Sequence, residues 1–350
     1  MKTIPPFDPH PLVGGKHLQT VYSVLFPPKN TLRMEYLLED KLLSLPDGDR
    51  LWLEHNPPLA KNPPVTGAVP FNGCYLVLIH GMEGSSDSHY MISVGREALH
   101  RGFGVIRMNH RNCGKGFGYA KKPYNAGISS DVLEVLKYVY KSFTKKIFVV
   151  GFSLSANLLL KFFGEERKNQ FASGFAAISP PLDLNKNCEF IDSIKGRIYR
   201  EHFLITLKEK LKSGIYDIPP HQVRRGLKAK TFFDFDDFIT APASGYTGVM
   251  EYYRKCSCIN YLHKIKTPGV VIHAEDDPVV PSDVWKSVDW SSFKTITSVL
   301  TKKGGHVGFV SKKEKSSRPD RHWLSRTLID YFETIIPKKK RRTRNETTST

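Results

Sequence analysis

One stretch limits more than any other what this chain can fold into. Residues 147–150, Ile-Phe-Val-Val, form a short apolar run rich in β-branched side chains, as in a strand buried on both faces. From Leu154 onward, Leu154, Leu158 and Phe162 recur at helical spacing. Between the two lies Gly151-Phe152-Ser153-Leu154-Ser155, one residue short of the G-x-S-x-G turn that raises a serine above the carboxyl edge of a sheet. The helix that follows directs free N–H groups and the positive end of its dipole at developing negative charge. A buried strand, a turn and a helix also arise from packing alone. The serine therefore gains meaning only if an acid, a base and an oxyanion pocket stand elsewhere in the chain.

The rest of the chain supplies a frame for such a site. A short helix is expected after His17-Leu-Gln-Thr20, within a proline-rich opening. Residues 41–45 and 50–54 flank Pro46-Asp-Gly-Asp49, a turn joining two strands. Residues 74–79, 104–109, 147–150 and 174–178 read as buried strands, with helical patterns after the first two and after the serine turn. This alternation implies a mostly parallel sheet flanked by helices, with its site at the strands' carboxyl edge. After Pro180-Pro181 the rhythm breaks into helical patterns, then resumes with strands at 268–273 and 296–300 and a closing amphipathic helix from near Pro319. The division expected is 1–182 and 256–336 for the two parts of the core, 183–255 for an inserted helical cap, and 337–350 for a tail.

The chain is basic, in its body as well as in that tail. The formal net charge is +18, and Lys338, Lys339, Lys340, Arg341, Arg342 and Arg344 crowd after Pro337 without any apolar pattern, as in a disordered segment. Such a tail suits solubility or contact with an anionic membrane; no nucleic-acid partner is expected. The scattered Cys74, Cys113, Cys188, Cys256 and Cys258 read as reduced thiols of a cytoplasmic protein. Cys256-Ser-Cys258 lacks a second pair at zinc spacing, so no metal is expected. Neither a signal-peptide core nor an apolar run of membrane-spanning length is read.

The acid and base are sought after the serine in chain order. Val270-Val-Ile-His273 leads into Ala-Glu-Asp276-Asp277-Pro278. Asp277 is the expected acid, Asp276 the alternative, and both also suit capping of a helix near Pro281. His306, in Gly304-Gly-His306-Val-Gly308 after the last strand, is the expected base. His273 lies in a strand and His322 in the last helix, where packing or surface roles suit them better. The oxyanion donors expected are the backbone N–H groups of Leu154 and of Met82, in His80-Gly81-Met82. His80 suits a structural role.

These strings carry a resemblance. The sequence resembles the YheT-like branch of the α/β-hydrolases, which includes bacterial esterases, yeast medium-chain ester synthases/esterases and membrane-associated relatives. It does so through His17-Leu-Gln-Thr20, the run from His80 to Tyr90, Met108-Asn-His-Arg-Asn-Cys-Gly114, the serine turn through Lys161, Phe235-Asp-Asp-Phe-Ile-Thr-Ala-Pro242 through Tyr252-Tyr-Arg254, Asp276-Asp-Pro278 and Gly304-Gly-His306. Ser153, Asp277 and His306 fall on the family's motif positions. The resemblance implies an α/β-hydrolase fold and a serine esterase of the carboxylic-ester class, needing no cofactor. It would act on short- to medium-chain acyl esters and transfer acyl groups to water or alcohols. The family usually reads Gly-Phe-Ser-Leu-Gly-Gly-Asn where this chain has Ser155 and Ala156, so a small shift of the helix is expected, with the turn kept. Phe232, Phe233, Phe235 and Phe238 are expected in the cap, as pocket lining or as anchors to the core. A non-catalytic binding protein and a membrane-acting lipase or phospholipase are the competing readings.

Overall fold

The computed structural model describes residues 4–27, 30, 32–58, 69–165, 171–312 and 323–336. The basic tail, Pro319 and His322 lie outside the described residues. Eight strands form one sheet in the order β1-β2-β4-β3-β5-β6-β7-β8. A hairpin of β1 (Glu39–Ser44) and β2 (Arg50–Asn56) turns on residues 45–49, and β2 pairs antiparallel with β4 (Gly104–Met108). From β4 through β3 (Tyr75–Ile79), β5 (Ile147–Phe152), β6 (Gly174–Ile178), β7 (Gly269–Ala274) and β8 (Ile296–Thr301) every pairing is parallel.

The strands read as continuous apolar runs because both faces are covered. Along β3, Leu76 and Leu78 point into one core while Tyr75, Val77 and Ile79 point into the other. The first core receives α2 (His89–His100) and α9 (Trp323–Ile335), with α1 (Lys16–Leu25) preceding the sheet. The second receives α3 (Ser129–Ser142) and α4 (Leu154–Gly164). Between β6 and β7 the regular elements from Leu184 to Cys256 are helical. They include α5 (Leu184–Asp192), α6 (Arg197–Lys212), α7 (Pro220–Lys228), a π-helical turn (Asp236–Thr240) and α8 (Val249–Cys256). Their apolar faces meet Leu154, Val279 and Val280 in a third core above the sheet's carboxyl edge. Asp183 starts this segment, its carboxyl capping α5 at the Lys186 N–H. No helix among the described residues is long and apolar enough to cross a membrane.

One antiparallel pairing carries a buried charge. Glu54 on β2 sits opposite Arg107 on β4, both fully buried, with Oε2 and Nη2 2.8 Å apart. Burial alone would raise the Glu54 carboxyl, but Arg107, Lys115 and Arg33 outweigh it and hold the group below its ordinary range. Replacing Glu54 by alanine strands Arg107 without its partner, and breaking such a buried pair costs about 3–5 kcal/mol. Urea unfolding of Glu54→Ala should show that loss; a change below about 1 kcal/mol would mean water reaches the pair.

Candidate active site

Three strand ends converge on one point. β5 delivers Ser153, whose backbone has φ 54° and ψ −119°, a left-handed conformation that costs a non-glycine residue about 1–3 kcal/mol. The Ser153 N–H is held by the Ile178 carbonyl at 2.8 Å, and α4 springs directly from Leu154. Residue 151 has to be glycine, because a Cβ there would collide with the Ser155 carbonyl as α4 folds back over β5. The turn therefore forms with Ser155 and Ala156 in place.

β7 and β8 bring the other two groups. The imidazole of His306 places Nε2 2.8 Å from Ser153 Oγ and Nδ1 2.8 Å from Asp277 Oδ2. A carboxylate accepts, so Nδ1 carries the proton, and Nε2 is left to accept from the serine hydroxyl. The other oxygen of Asp277 accepts from the N–H groups of Val279 and Val280, at 2.9 Å each. Asp276 instead accepts from the Gly305 N–H at 2.9 Å and holds the histidine loop. Neither carboxyl caps a helix near Pro281; the short helix there runs Asp283–Lys286. His273, stacked on Trp285, is buried in β7.

The histidine loop has a clamp that the sequence reading missed. The His306 N–H donates to Thr20 Oγ1 at 2.9 Å. Gln19, fully buried, donates through Nε2 to the carbonyls of Val13 and Val310 and accepts the Val310 N–H at 2.8 Å. Gly308 allows this closeness, since a Cβ there would strike the Gln19 carbonyl. The signal was present in His17-Leu-Gln-Thr20 as a glutamine and a threonine in a helix with apolar neighbours, but their partners lie nearly 300 residues away.

The loop after β3 completes the rim. Tyr90 OH accepts the Gly81 N–H at 3.0 Å, and Glu83, at φ 55°, joins Tyr124 and the α6 residue Lys210. Met82 and Leu154 line the same cavity as Ser153; Leu154 N–H lies in the first turn of α4, where no intrahelical acceptor exists. Below them His80 Nε2 accepts the His110 N–H, so its Nδ1–H donates to the Gly81 carbonyl. Ser155 Oγ donates to the His80 carbonyl and accepts from His110 Nε2 at 2.7 Å. Both imidazoles are neutral: burial, then the neighbouring His110, pushes His80 well down, and burial brings His110 down to about 4. Ser155→Gly removes this link and adds a helix glycine, a destabilisation of roughly 1–3 kcal/mol with little change in rate. Thermal melts beside ester kinetics would check it, and unchanged stability would show the link to be idle.

The cavity runs from Ser153 under the cap, with an empty volume of ≈ 810 Å³, open solvent included. Its walls include Leu184, Ile191, Phe203, Leu207, Phe232 and Val279. Of the four phenylalanines expected in the cap, Phe232 alone is a wall. Phe233 is partly turned to solvent, Phe235 is packed in the cap core, and Phe238 lies under the Arg225 guanidinium. The helical period places them on different faces. Among the described residues no group of three or more His, Cys, Asp or Glu side chains is arranged to hold a metal ion.

Comparison with known proteins gives a consistent picture. The alpha/beta hydrolase fold family matches residues 75–313. The chain is 28% identical over 330 residues to the Escherichia coli (strain K12) protein named "Putative esterase YheT", covering 92% of each. It is 28% identical over 268 residues to a monoacylglycerol lipase of Saccharomyces cerevisiae, covering 73% of this chain and 58% of that one. With medium-chain fatty acid ethyl ester synthase/esterase 2 of the same yeast it shares 26% identity over 283 residues, covering 73% and 61%. Among solved structures, the Pyrococcus furiosus esterase Pf2001 matches with a TM-score of 0.54 at 16% identity, over 93% of this chain and 98% of that one. That likeness is one of fold alone.

Proposed function

Because this chain belongs to the alpha/beta hydrolase fold family, we propose that it is a serine esterase acting on short- to medium-chain carboxylic esters. The observation that carries the reading is the unbroken hydrogen-bonded line from Ser153 Oγ through His306 to Asp277. His306 Nε2 takes the hydroxyl proton as Ser153 attacks the ester carbonyl, and Asp277 stabilises the imidazolium that forms. The amides of Met82 and Leu154 receive the oxyanion. His306 then protonates the departing alcohol, leaving an acyl-enzyme whose chain occupies the apolar cavity. Water, activated by the same imidazole, releases the acid.

An alcohol in place of water would give a new ester, and the relative named as an ester synthase/esterase supports adding this second outcome. Five buried free thiols suit a cytoplasmic setting. The test is direct. A fluorophosphonate probe should label Ser153, and p-nitrophenyl esters from acetate to palmitate should show a maximum at short to medium length. With rising ethanol, free acid should fall while ethyl ester accumulates. Absence of both labelling and hydrolysis in folded protein would favour a binding protein instead.

A further inference from the structure

The string Phe235-Asp-Asp-Phe-Ile-Thr-Ala-Pro242 has no part in the chemistry above, yet it places a carboxyl in the same cavity. Asp236 lines the cleft together with Ser153. It opens the π-helical turn Asp236–Thr240, an irregularity that recurs at functional sites because it turns side chains off the α-helical register. Its neighbour Asp237 does ordinary work, accepting the Val249 N–H at the start of α8. The backbone N–H of Asp236 closes the short helix Phe232–Phe235, but its carboxyl caps no helix. One oxygen accepts the Tyr253 hydroxyl at 2.9 Å, and Thr240 gives a further hydrogen bond.

Two helices of the cap face this carboxyl. From α5 come Asp192 and Cys188, and from α8 come Tyr252, Tyr253 and Cys256. Asp192 is already occupied by the N–H groups of Phe232 and Phe233. No lysine or arginine pairs with Asp236 among the described residues. Burial pushes its carboxyl up to about 6, so near neutral pH an anion sits in a mostly apolar cleft without a cation. Asp236 is partly accessible, and an acyl chain that fills the cleft strips water from the carboxylate, which is costly unless its remaining lone pairs are satisfied. An asparagine would serve Tyr253 and Thr240 without that cost, and a plain hydrocarbon tunnel has no use for the charge.

We propose that Asp236 is the specificity-determining residue of the cavity, selecting esters whose acyl chain carries a hydroxyl group. The inference rests on the esterase reading above and on the acyl chain filling the cleft. A hydroxyl on that chain offers the carboxylate a donor in place of the displaced water while bringing no second charge into apolar surroundings. The flanking walls of Leu184, Ile191 and Phe203 accept the hydrocarbon on either side. Removing one partner from a site built to bond a hydroxyl leaves a buried polar group unpaired, which is why such sites discriminate strongly.

The test compares p-nitrophenyl decanoate with a positional series of p-nitrophenyl hydroxydecanoates. For at least one position the wild type should prefer the hydroxylated ester by about tenfold or more in kcat/KM, the gain lying in KM. Asp236→Leu should reduce that preference to near one while a fluorophosphonate still labels Ser153. The ratio of the two esters cancels the ionisation of His306, which both share. In the wild type this ratio should rise from pH 5 to pH 7 as Asp236 loses its proton, and in Asp236→Asn it should be flat. If Asp236→Leu fails to fold, the pH dependence of the ratio in wild type and Asp236→Asn decides alone. Wild-type hydrolysis of decanoate with no preferred position, or a preference that survives in both variants, overturns this inference and leaves the esterase standing. No hydrolysis of any ester overturns both.

Discussion

Ser153→Ala should lower kcat/KM on a preferred ester by several orders of magnitude and leave the fold intact. The size follows from what is lost: without Oγ no acyl-enzyme forms, and His306 Nε2 loses the hydroxyl it meets at 2.8 Å. Catalysis by the remaining oxyanion amides and by binding survives at roughly 10³–10⁴-fold over water. The fold should survive because alanine meets the same strain at φ 54° that serine does, while the Ser153 N–H bond to Ile178 is a backbone contact. His306→Ala should fall about as far, since the two groups act as one unit and their losses do not add. Kinetics on purified variants, with circular-dichroism melts alongside, would decide. More than a tenth of wild-type kcat/KM remaining in either would remove Ser153 and His306 from the roles given them.

The sheet and the meeting of Ser153 with His306 were legible because their signals are local. Parallel strands covered on both faces leave unbroken runs such as Leu-Val-Leu-Ile and Ile-Phe-Val-Val, and glycines mark the turns that carry Ser153 and His306. Contacts made by single polar side chains over long separations leave no such trace. Gln19 closes on Val310, and Thr20 on the His306 N–H, with nothing in the spacing to join them. The cap was legible as helix but not as a surface. Whether Phe203 or Phe233 reaches the cavity depends on how the cap helices pack over Val279 and Val280, which periodicity does not encode. Ser155 is the opposite case. It reads as a small residue standing where a glycine is usual, and in the fold it links two buried histidines.

Asp277→Asn should cost about 10⁴ in kcat, some 5.5 kcal/mol of barrier, whereas Asp276→Asn should change it by a few-fold at most. Adjacent carboxyls of the same strand end differ this much because of what each oxygen meets. Asp277 Oδ1 accepts two backbone N–H groups, from Val279 and Val280, and Oδ2 accepts the imidazole proton. An amide at this position has one acceptor and one donor atom. The two N–H groups compel its oxygen to take the Oδ1 place, which turns the NH₂ toward His306 Nδ1. That nitrogen must then give up its proton and accept, so the proton moves to Nε2. In that tautomer Nε2 faces Ser153 as a donor and cannot take the hydroxyl proton. Asp276 escapes this because its one strong contact is the Gly305 N–H, which an amide oxygen accepts equally well. The variants should fold alike, and fluorophosphonate labelling should slow in Asp277→Asn and persist in Asp276→Asn. Equal losses, or the reverse order, would move the orienting role from Asp277 to its neighbour.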